Sequence, residues 1–464
     1  MPLLKKTMFR EYDLRGREAN DELNDTSMYY IGRGFGTFLK KRKINDVVVG
    51  HDARGTSERF HKSAIKGLLE CGLNITDIGT VTTPMSYWAQ YYFKVKGLLT
   101  VTASHNPAGW NGVKLGSDLS YTLLTPELAE VYDIITKEEF TDGVGVLKQQ
   151  DISKPYMDDL ISRARITKKF KILVNTGNGT AGLYVPEILR KTGCEIVEHF
   201  TNIDPAYPNY TPNPDGTAMM EDTGKQTVKN NCDFGFAFDG DGDRLGLVDE
   251  KGNIIWPDRY IILLSRLVLG KHPGAKIVFD VKVSEALPED IKAHGGIPIM
   301  WKTGHSYIKA KLAEEKAAMA GEMSGHIFFV DDFYGFDDAF FAALKILEYL
   351  STQDSPLSKI IASTPYYVST PTIQVKTTDE DKYKVVEQVT KEFKNEGYKV
   401  VDINGARVYT GGGWGLVRAS SNTPTLVLRF EAKNKEDLEK IKKIFKKKLD
   451  KFDVVSKDWD TTGH

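Results

Sequence analysis

Cysteine is nearly missing from this chain: three thiols, Cys71, Cys194 and Cys232, are scattered through 464 residues. An odd count at such separations fits neither a disulfide framework nor a metal-ligand spacing, so apolar cores must supply the stability. An excess of charge of one sign is lacking too. The 62 Lys and Arg nearly balance 63 Asp and Glu, for a formal net charge of −1, which removes bulk attraction to nucleic acid or to an anionic membrane surface. No run is long and apolar enough to span a bilayer. Met1-Pro2-Leu3-Leu4-Lys5-Lys6 leads straight into charged sequence without a signal peptide's apolar core, so a cytoplasmic, reduced protein is expected. Two catalytic signatures are absent as well. No G-x-S-x-G surrounds Ser104, which argues against a serine hydrolase, and Gly411-Gly412-Gly413-Trp414-Gly415 lacks the lysine of a P-loop and reads as a flexible turn.

What the chain does contain is a pair of short polar segments about 135 residues apart. Thr102-Ala103-Ser104-His105-Asn106-Pro107 sets a hydroxyl beside an imidazole. Asp239-Gly240-Asp241-Gly242-Asp243-Arg244 alternates three carboxylates with glycines directly behind Phe234-Gly235-Phe236-Ala237-Phe238, an apolar run that reads as a buried strand. Three acids with no Cys or His beside them suit a hard cation such as Mg²⁺, Mn²⁺ or Ca²⁺, and the glycines let alternate side chains converge. Without a metal the acids repel one another, which makes a merely solvated turn a costly arrangement. An EF-hand loop matches Asp239, Asp241, Asp243 and Glu250 at four ligand positions, but Arg244 stands where that loop needs glycine, and Leu245 to Val248 reads as a strand. A haloacid-dehalogenase-type aspartyl nucleophile at Asp239 competes for the same residues.

Ser104 follows its own apolar stretch, Gly97-Leu98-Leu99-Thr100-Val101, and is expected to be presented on a loop, not buried. A hydroxyl that carries phosphate needs a proton acceptor and cations nearby, which His105, Lys114 and a metal can supply. Taken alone, the segment also reads as an ordinary Ser/Asn/Pro turn.

At this length roughly three domains of about 150 residues are expected. One theme repeats at intervals of roughly 100 to 125 residues: strand, helix, a glycine that ends the helix, and a second strand. It begins at Val47-Val48-Val49 and passes Cys71-Gly72; it recurs at Ile172-Leu173-Val174 with Thr192-Gly193, and at Ile277-Val278-Phe279-Asp280 with His294-Gly295-Gly296. After about residue 366 the texture changes. Ser369 to Lys376, Val400 to Asp402 and Thr425 to Phe430 are strand-like, Asp379 to Asn395 is helical, and Asn434 to Phe452 is an amphipathic helix whose Lys440 to Lys451 run reads as a solvated face. The expected fold class is α/β: three similar α/β domains with mixed sheets plus a C-terminal α+β domain, four domains around a central cleft. The expected boundaries are 1–152, 153–254, 255–366 and 367–464.

Taken together, the motifs resemble those of the α-D-phosphohexomutase superfamily, of the bacterial phosphomannomutase/phosphoglucomutase type. Besides T-A-S-H-N-P and D-G-D-G-D-R, Phe9-Arg10-Glu11-Tyr12-Asp13-Leu14-Arg15-Gly16 resembles its N-terminal signature. Gly321-Glu322-Met323-Ser324-Gly325-His326 resembles its sugar-binding loop, and Arg418-Ala419-Ser420-Ser421-Asn422-Thr423 its phosphate-binding loop. The resemblance implies an isomerase that interconverts hexose 1-phosphate and hexose 6-phosphate, of mannose and/or glucose, through phosphoserine at Ser104 and a 1,6-bisphosphate. It also implies Mg²⁺ on Ser104, Asp239, Asp241 and Asp243, and a hexose 1,6-bisphosphate activator. His105, Lys114, Arg244 and Arg15 would serve the chemistry, with His105 or Lys114 moving the proton. Substrate would meet Tyr12, Lys282, His305, Glu322, Ser324, His326, Arg418, Ser420, Ser421, Asn422 and Thr423.

Met323 beside His326 favours mannose and glucose over glucosamine phosphates, the loop of glucosamine-preferring relatives tending to read G-E-Q-S-G-H. The extra serine in Ser420-Ser421-Asn422-Thr423 and the missing histidines in Tyr207-Pro208-Asn209-Tyr210-Thr211-Pro212-Asn213-Pro214 depart from the family pattern. The implied partners are small hexose phosphates, with no nucleic acid and no membrane, in a monomer or small homo-oligomer whose C-terminal domain rotates near residue 366. The alternatives are a sugar phosphatase using Asp239 or a phosphoglucosamine mutase.

Overall fold

Each apolar run that the repeat placed at a strand is a strand, and each glycine that was to end a helix does so. The structure, a computed structural model, describes residues 4–421 and 423–459. In the first repeat, Asp46–His51 leads into the helix Ser57–Glu70 and returns as Asn74–Thr80, paired parallel to the first strand. Lys171–Asn175 pairs parallel with Glu195–His199, and Lys276–Asp280 with Ile297–Trp301. Gly72, Gly193 and Gly295 after the intervening helices have φ of +74°, +88° and +76°, the left-handed turn that a side chain disfavours.

By backbone contacts the chain forms two compact units. Of the described residues, unit 1 holds 4–255 and 324–358. Its first sheet runs Leu14–Arg17, Trp110–Asp118, Gly97–Val101, Asp46–His51, Asn74–Thr80, Val146–Gln149. Gly97–Val101, which delivers the serine loop, lies between a parallel and an antiparallel neighbour. All five of its residues are buried, as expected of a strand covered on both faces. The second sheet runs Ile254–Ile255, Leu245–Asp249, Phe234–Phe238, Lys171–Asn175, Glu195–His199. Phe234, Phe236 and Phe238 are each within 1% of fully buried, and each contributes on the order of 2–3 kcal/mol of apolar burial. They anchor the strand whose end carries the acidic loop.

Of the described residues, unit 2 holds 256–323, 359–421 and 423–459. Here Lys276–Asp280 pairs parallel on both sides, with Ile297–Trp301 and with Met319–Gly321. A second, antiparallel sheet runs Val368–Ser369, Thr425–Ala432, Gly413–Ala419, Ala406–Thr410, Lys399–Val401, with Ile373–Lys376 also on Thr425–Ala432. Two strands here escaped the sequence reading. Gly413-Trp414-Gly415 is not a flexible turn: only Gly411 and Gly412 turn, and Gly413–Ala419 pairs residue by residue with Ala406–Thr410. Trp414 anchors it, packing on Val281 and Leu416 and donating Nε1–H to Glu431 at 2.8 Å. The C-terminal helix runs Lys435–Leu449 with Asn434 as its cap. Its lysine face is solvated except at Lys448, which is buried beside Glu396.

Candidate active site

The serine and aspartate loops meet inside unit 1. Ser104 Oγ lies 3.0 Å from Asp239 Oδ2 and 3.1 Å from His105 Nδ1. The expectation that Ser104 is exposed is corrected: it is 2% exposed. The reason lies in the backbone. Ser104 has φ +50°, a left-handed conformation that costs a non-glycine residue about 1–2 kcal/mol, and it swings the hydroxyl inward onto the carboxylates. Its N–H bonds Thr102 Oγ1 at 2.9 Å. The two loops can approach this closely because residue 240 has no side chain; a Cβ there would sit 2.5 Å from the Ser104 carbonyl oxygen.

Asp239, Asp241 and Asp243 are fully buried and their ligand oxygens lie within 4.8 Å of one another. Each carboxylate has one oxygen fixed by protein donors. Asp239 Oδ1 accepts the N–H groups of Asp243 and Arg244 at 3.0 and 3.1 Å. Asp241 Oδ2 accepts the hydroxyls of Thr83 and Thr102 and the Lys114 ammonium. Asp243 Oδ2 takes the same ammonium at 2.6 Å. The second oxygens, Asp241 Oδ1 and Asp243 Oδ1, are buried with no hydrogen-bond partner. Buried acceptors left in this state fit a hard cation that accepts oxygen ligands only. Burial, then the charges of Asp243 and Asp241, push the Asp239 carboxyl well above its usual range, the sign of a site short of positive charge.

The neighbouring cations are already engaged. Burial works against the Lys114 ammonium, but Asp241 and Asp243 outweigh it and hold the group firmly protonated. Arg15 is buried, paired with Asp13 at 2.8 Å and bonded to Asn106 Oδ1 at 2.5 Å. Tyr12 is half-buried beside it and acts on it electrostatically. Arg244 Nε donates to His326 Nε2 at 3.1 Å, and His326 Nδ1 faces Asp337 at 3.0 Å. His105 is pushed well below the ordinary imidazole range by burial and then by Arg244 and Arg15, so its ring is neutral.

Unit 2 gathers a second set. Asp280, at a strand end as Asp239 is, accepts the N–H groups of Lys282 and Met323 at 3.2 and 3.4 Å and the Thr303 hydroxyl at 3.1 Å. Glu322 Oε1 takes the N–H of Gly304, which precedes the helix His305–Glu315. Lys282, His305 and Glu322 are therefore buried on three loops tied through one another. Met323 is 6% exposed, so it acts on the loop through packing. Ser324 and His326 belong to the segment of unit 1 that begins at 324. Arg418, next to last in the strand Gly413–Ala419, reaches Ser421 Oγ at 3.4 Å, while Ser420 Oγ accepts from Thr423. Asn422 lies outside the described residues. Sequence reasoning missed Asp280, Asp337, Thr83 and Arg54; the only signal was Asp280's place at the end of an apolar strand.

Buried strand ends carrying a serine hydroxyl, three carboxylates and a set of fixed cations define the class: an α/β enzyme of phosphoryl transfer. Comparison with known proteins makes that specific. Models of the phosphoglucomutase/phosphomannomutase family match over residues 6–142 (alpha/beta/alpha domain I), 154–252 (domain II), 256–367 (domain III) and 373–448 (C-terminal domain). A phosphomannomutase/phosphoglucomutase of Pseudomonas aeruginosa is 38% identical over 452 residues, covering 97% of each chain. A phosphoglucomutase of Neisseria gonorrhoeae is 36% identical, covering 96% of this chain and 97% of its own. The crystal structure of a family protein from Burkholderia thailandensis superposes with TM-score 0.91 at 36% identity, over 97% and 98% of the chains. This chain belongs to the phosphoglucomutase/phosphomannomutase family, and the haloacid-dehalogenase alternative at Asp239 is set aside.

Proposed function

We propose that this enzyme interconverts the 1- and 6-phosphates of mannose and glucose through phosphoserine at Ser104. The observation that carries this is the Ser104 hydroxyl, buried between Asp239 Oδ2 and His105 Nδ1. In the half-reaction that loads the enzyme, Ser104 Oγ forms a bond to phosphorus while the bond from phosphorus to the sugar oxygen breaks. The serine proton has two acceptors within 3.1 Å, Asp239 and His105, and the departing sugar oxygen takes up a proton. The reverse transfer places phosphate on the other end of the hexose, so atoms balance without water.

Asp239, Asp241, Asp243 and Ser104 are the groups that would hold Mg²⁺, which when bound supplies charge neutralisation at the transferring phosphoryl group. Lys114 keeps Asp241 and Asp243 aimed into the site and brings its own positive charge. Arg244, fixed by His326 and Asp337, and Arg15, fixed by Asp13, add field without having to reorganise. Lys282, His305 and Glu322 serve the sugar phosphate with Ser324 and His326, and Tyr12 is the contact beside Arg15. Arg418, whose Nε is buried without a partner, grips the distal phosphate with Ser420, Ser421, Asn422 and Thr423. In this reading domains 1–152, 153–254, 255–366 and 367–464 contribute the serine, metal, sugar and phosphate loops, and a hexose 1,6-bisphosphate primes the enzyme. Relatives bearing both mutase names support the pairing of sugars.

Peptide-level mass spectrometry after incubation with glucose 1,6-bisphosphate and Mg²⁺ tests the carrier. One acid-stable phosphate on the Ser104 peptide is expected. A bare serine with a hydroxylamine-labile phosphate on Asp239 would overturn the reading. Coupled assays on mannose and glucose 1-phosphates then test the substrate range.

A further inference from the structure

The serine loop rests on one buried guanidinium. Arg54, 5% exposed, donates from Nη2 to the carbonyl oxygens of Ser104 and Asn106, both at 2.6 Å, and from Nη1 to those of Pro107 and Trp110 at 3.1 and 3.2 Å. Its Nε bonds Asp52 Oδ2 at 3.2 Å. Asp52 is locked in turn: its Oδ1 accepts from the Arg54 N–H and the Ser57 hydroxyl. The ring of Tyr207, buried and itself at φ +48°, covers the guanidinium at 5.3 Å. Tyr207 belongs to the segment whose role the sequence left open.

Four carbonyls converging on one fork constitute more than ordinary loop anchoring. The bond to the Ser104 carbonyl acts on the residue whose backbone is left-handed, and a peptide rotation there would move Oγ away from Asp239. A lysine can keep the charge at this place but cannot span four acceptors. The positive charge also lies under the serine loop, near enough to act electrostatically on His105.

We infer that Arg54, capped by Tyr207, is a positioning residue that holds Ser104 in its left-handed conformation and so sets the rate of phosphoryl transfer to and from Oγ, without contact to the sugar. The inference rests on Ser104 being the phosphoryl carrier. Misplacing a nucleophile by about 1 Å costs on the order of 100-fold in rate. Arg54→Lys is therefore expected to slow single-turnover phosphorylation of Ser104 by glucose 1,6-bisphosphate, followed by intact mass, by about 100-fold, and to lower kcat in parallel. KM for hexose phosphate should stay within about threefold, since the change alters a step realised only in the transition state.

Measurements are made well below the melting temperature of each variant, so that partial unfolding does not enter. A folded Arg54→Lys enzyme with wild-type phosphorylation rate, or one changed only in KM, overturns the inference. Should that variant fail to fold, Tyr207→Leu decides, because it removes the ring that caps the guanidinium and lets the fork move, while Arg54 keeps its charge and all its donors. A slower phosphorylation at unchanged KM supports the positioning role, and an unchanged rate overturns it. Ser104→Ala run beside them separates this failure from that of the carrier reading: if it retains turnover, the carrier itself is wrong.

Discussion

At the scale of single residues, the site is built from groups that cannot be exchanged for near neighbours. Replacing Ser104 by alanine removes the proposed carrier hydroxyl and little else, since the hydroxyl's partners are Asp239 and His105. The expected outcome is a folded enzyme whose kcat falls by about 10⁴-fold or more in a coupled assay; residual turnover within tenfold of wild type would contradict the shuttle. Gly240 is the reciprocal case. Its missing side chain is what admits the Ser104 carbonyl, and a Cβ would lie 2.5 Å from that oxygen. Gly240→Ala should push the loops apart, lowering stability by roughly 1–3 kcal/mol in urea titrations and reducing the phosphorylation rate of Ser104. Stability and rate both unchanged would mean that the loops tolerate a wider spacing. In the sequence Ser104, Asp239, Asp241 and Asp243 were readable because hydroxyl and acid chemistry stands at the ends of apolar runs. Arg54 and Asp337 were not, since an arginine bonded to backbone carbonyls and an aspartate behind a histidine look like any surface charge until the chain folds.

At the scale of elements, three loops of unit 2 hang on Asp280. Its carboxylate receives the N–H groups of Lys282 and Met323 and the Thr303 hydroxyl. Asp280→Ala leaves these donors without a partner, at about 1–3 kcal/mol each where buried. The KM for hexose phosphate should rise tenfold or more, while Ser104, in unit 1, still accepts phosphate; an unchanged KM would remove Asp280 from the sugar loops. The helix His305–Glu315 is tied to the strand Lys276–Asp280 by a different device. Lys276 and then Lys311, at 2.8 and 2.7 Å, hold the Glu315 carboxyl down to about 2. A carboxyl depressed in the folded state contributes stability above its unfolded value near 4.5 and loses it as pH falls toward 2. Between pH 4.5 and 2 the melting temperature of Glu315→Gln should therefore fall less steeply than that of the wild type, and parallel curves would show that the pair contributes nothing. The repeats were legible because period, apolar runs and terminal glycines are local. Ala406–Thr410 and Gly413–Ala419 were not, because glycines in Gly413-Trp414-Gly415 disguise a strand that only its neighbour's hydrogen bonds and the packing of Trp414 make plain.

At the scale of the whole molecule, three buried acids, two of which keep an oxygen without a hydrogen-bond partner, are where a bound cation would stabilise the fold. Chelation by EDTA should abolish turnover, and Mg²⁺ should restore it. Mg²⁺ should also raise the melting temperature, because an ion that binds only the folded state adds RT ln(1 + [L]/Kd), about 2.7 kcal/mol at one hundred times Kd. No shift in melting temperature on adding Mg²⁺ would place the metal elsewhere. By itself the sequence determined the βαβ repeats, the α/β class and the hydroxyl and carboxylate character of the serine and aspartate loops, because these are written in spacing and residue type over a few positions. The tertiary structure alone decided that Ser104 is buried, that Arg54 holds its loop, that Lys114 joins Asp241 to Asp243, and that Asp280 joins three loops. Each of these is a contact between residues far apart in the chain, and the energy of a hydrogen bond or an ion pair depends on distance, direction and burial, which exist only once the sheets have packed.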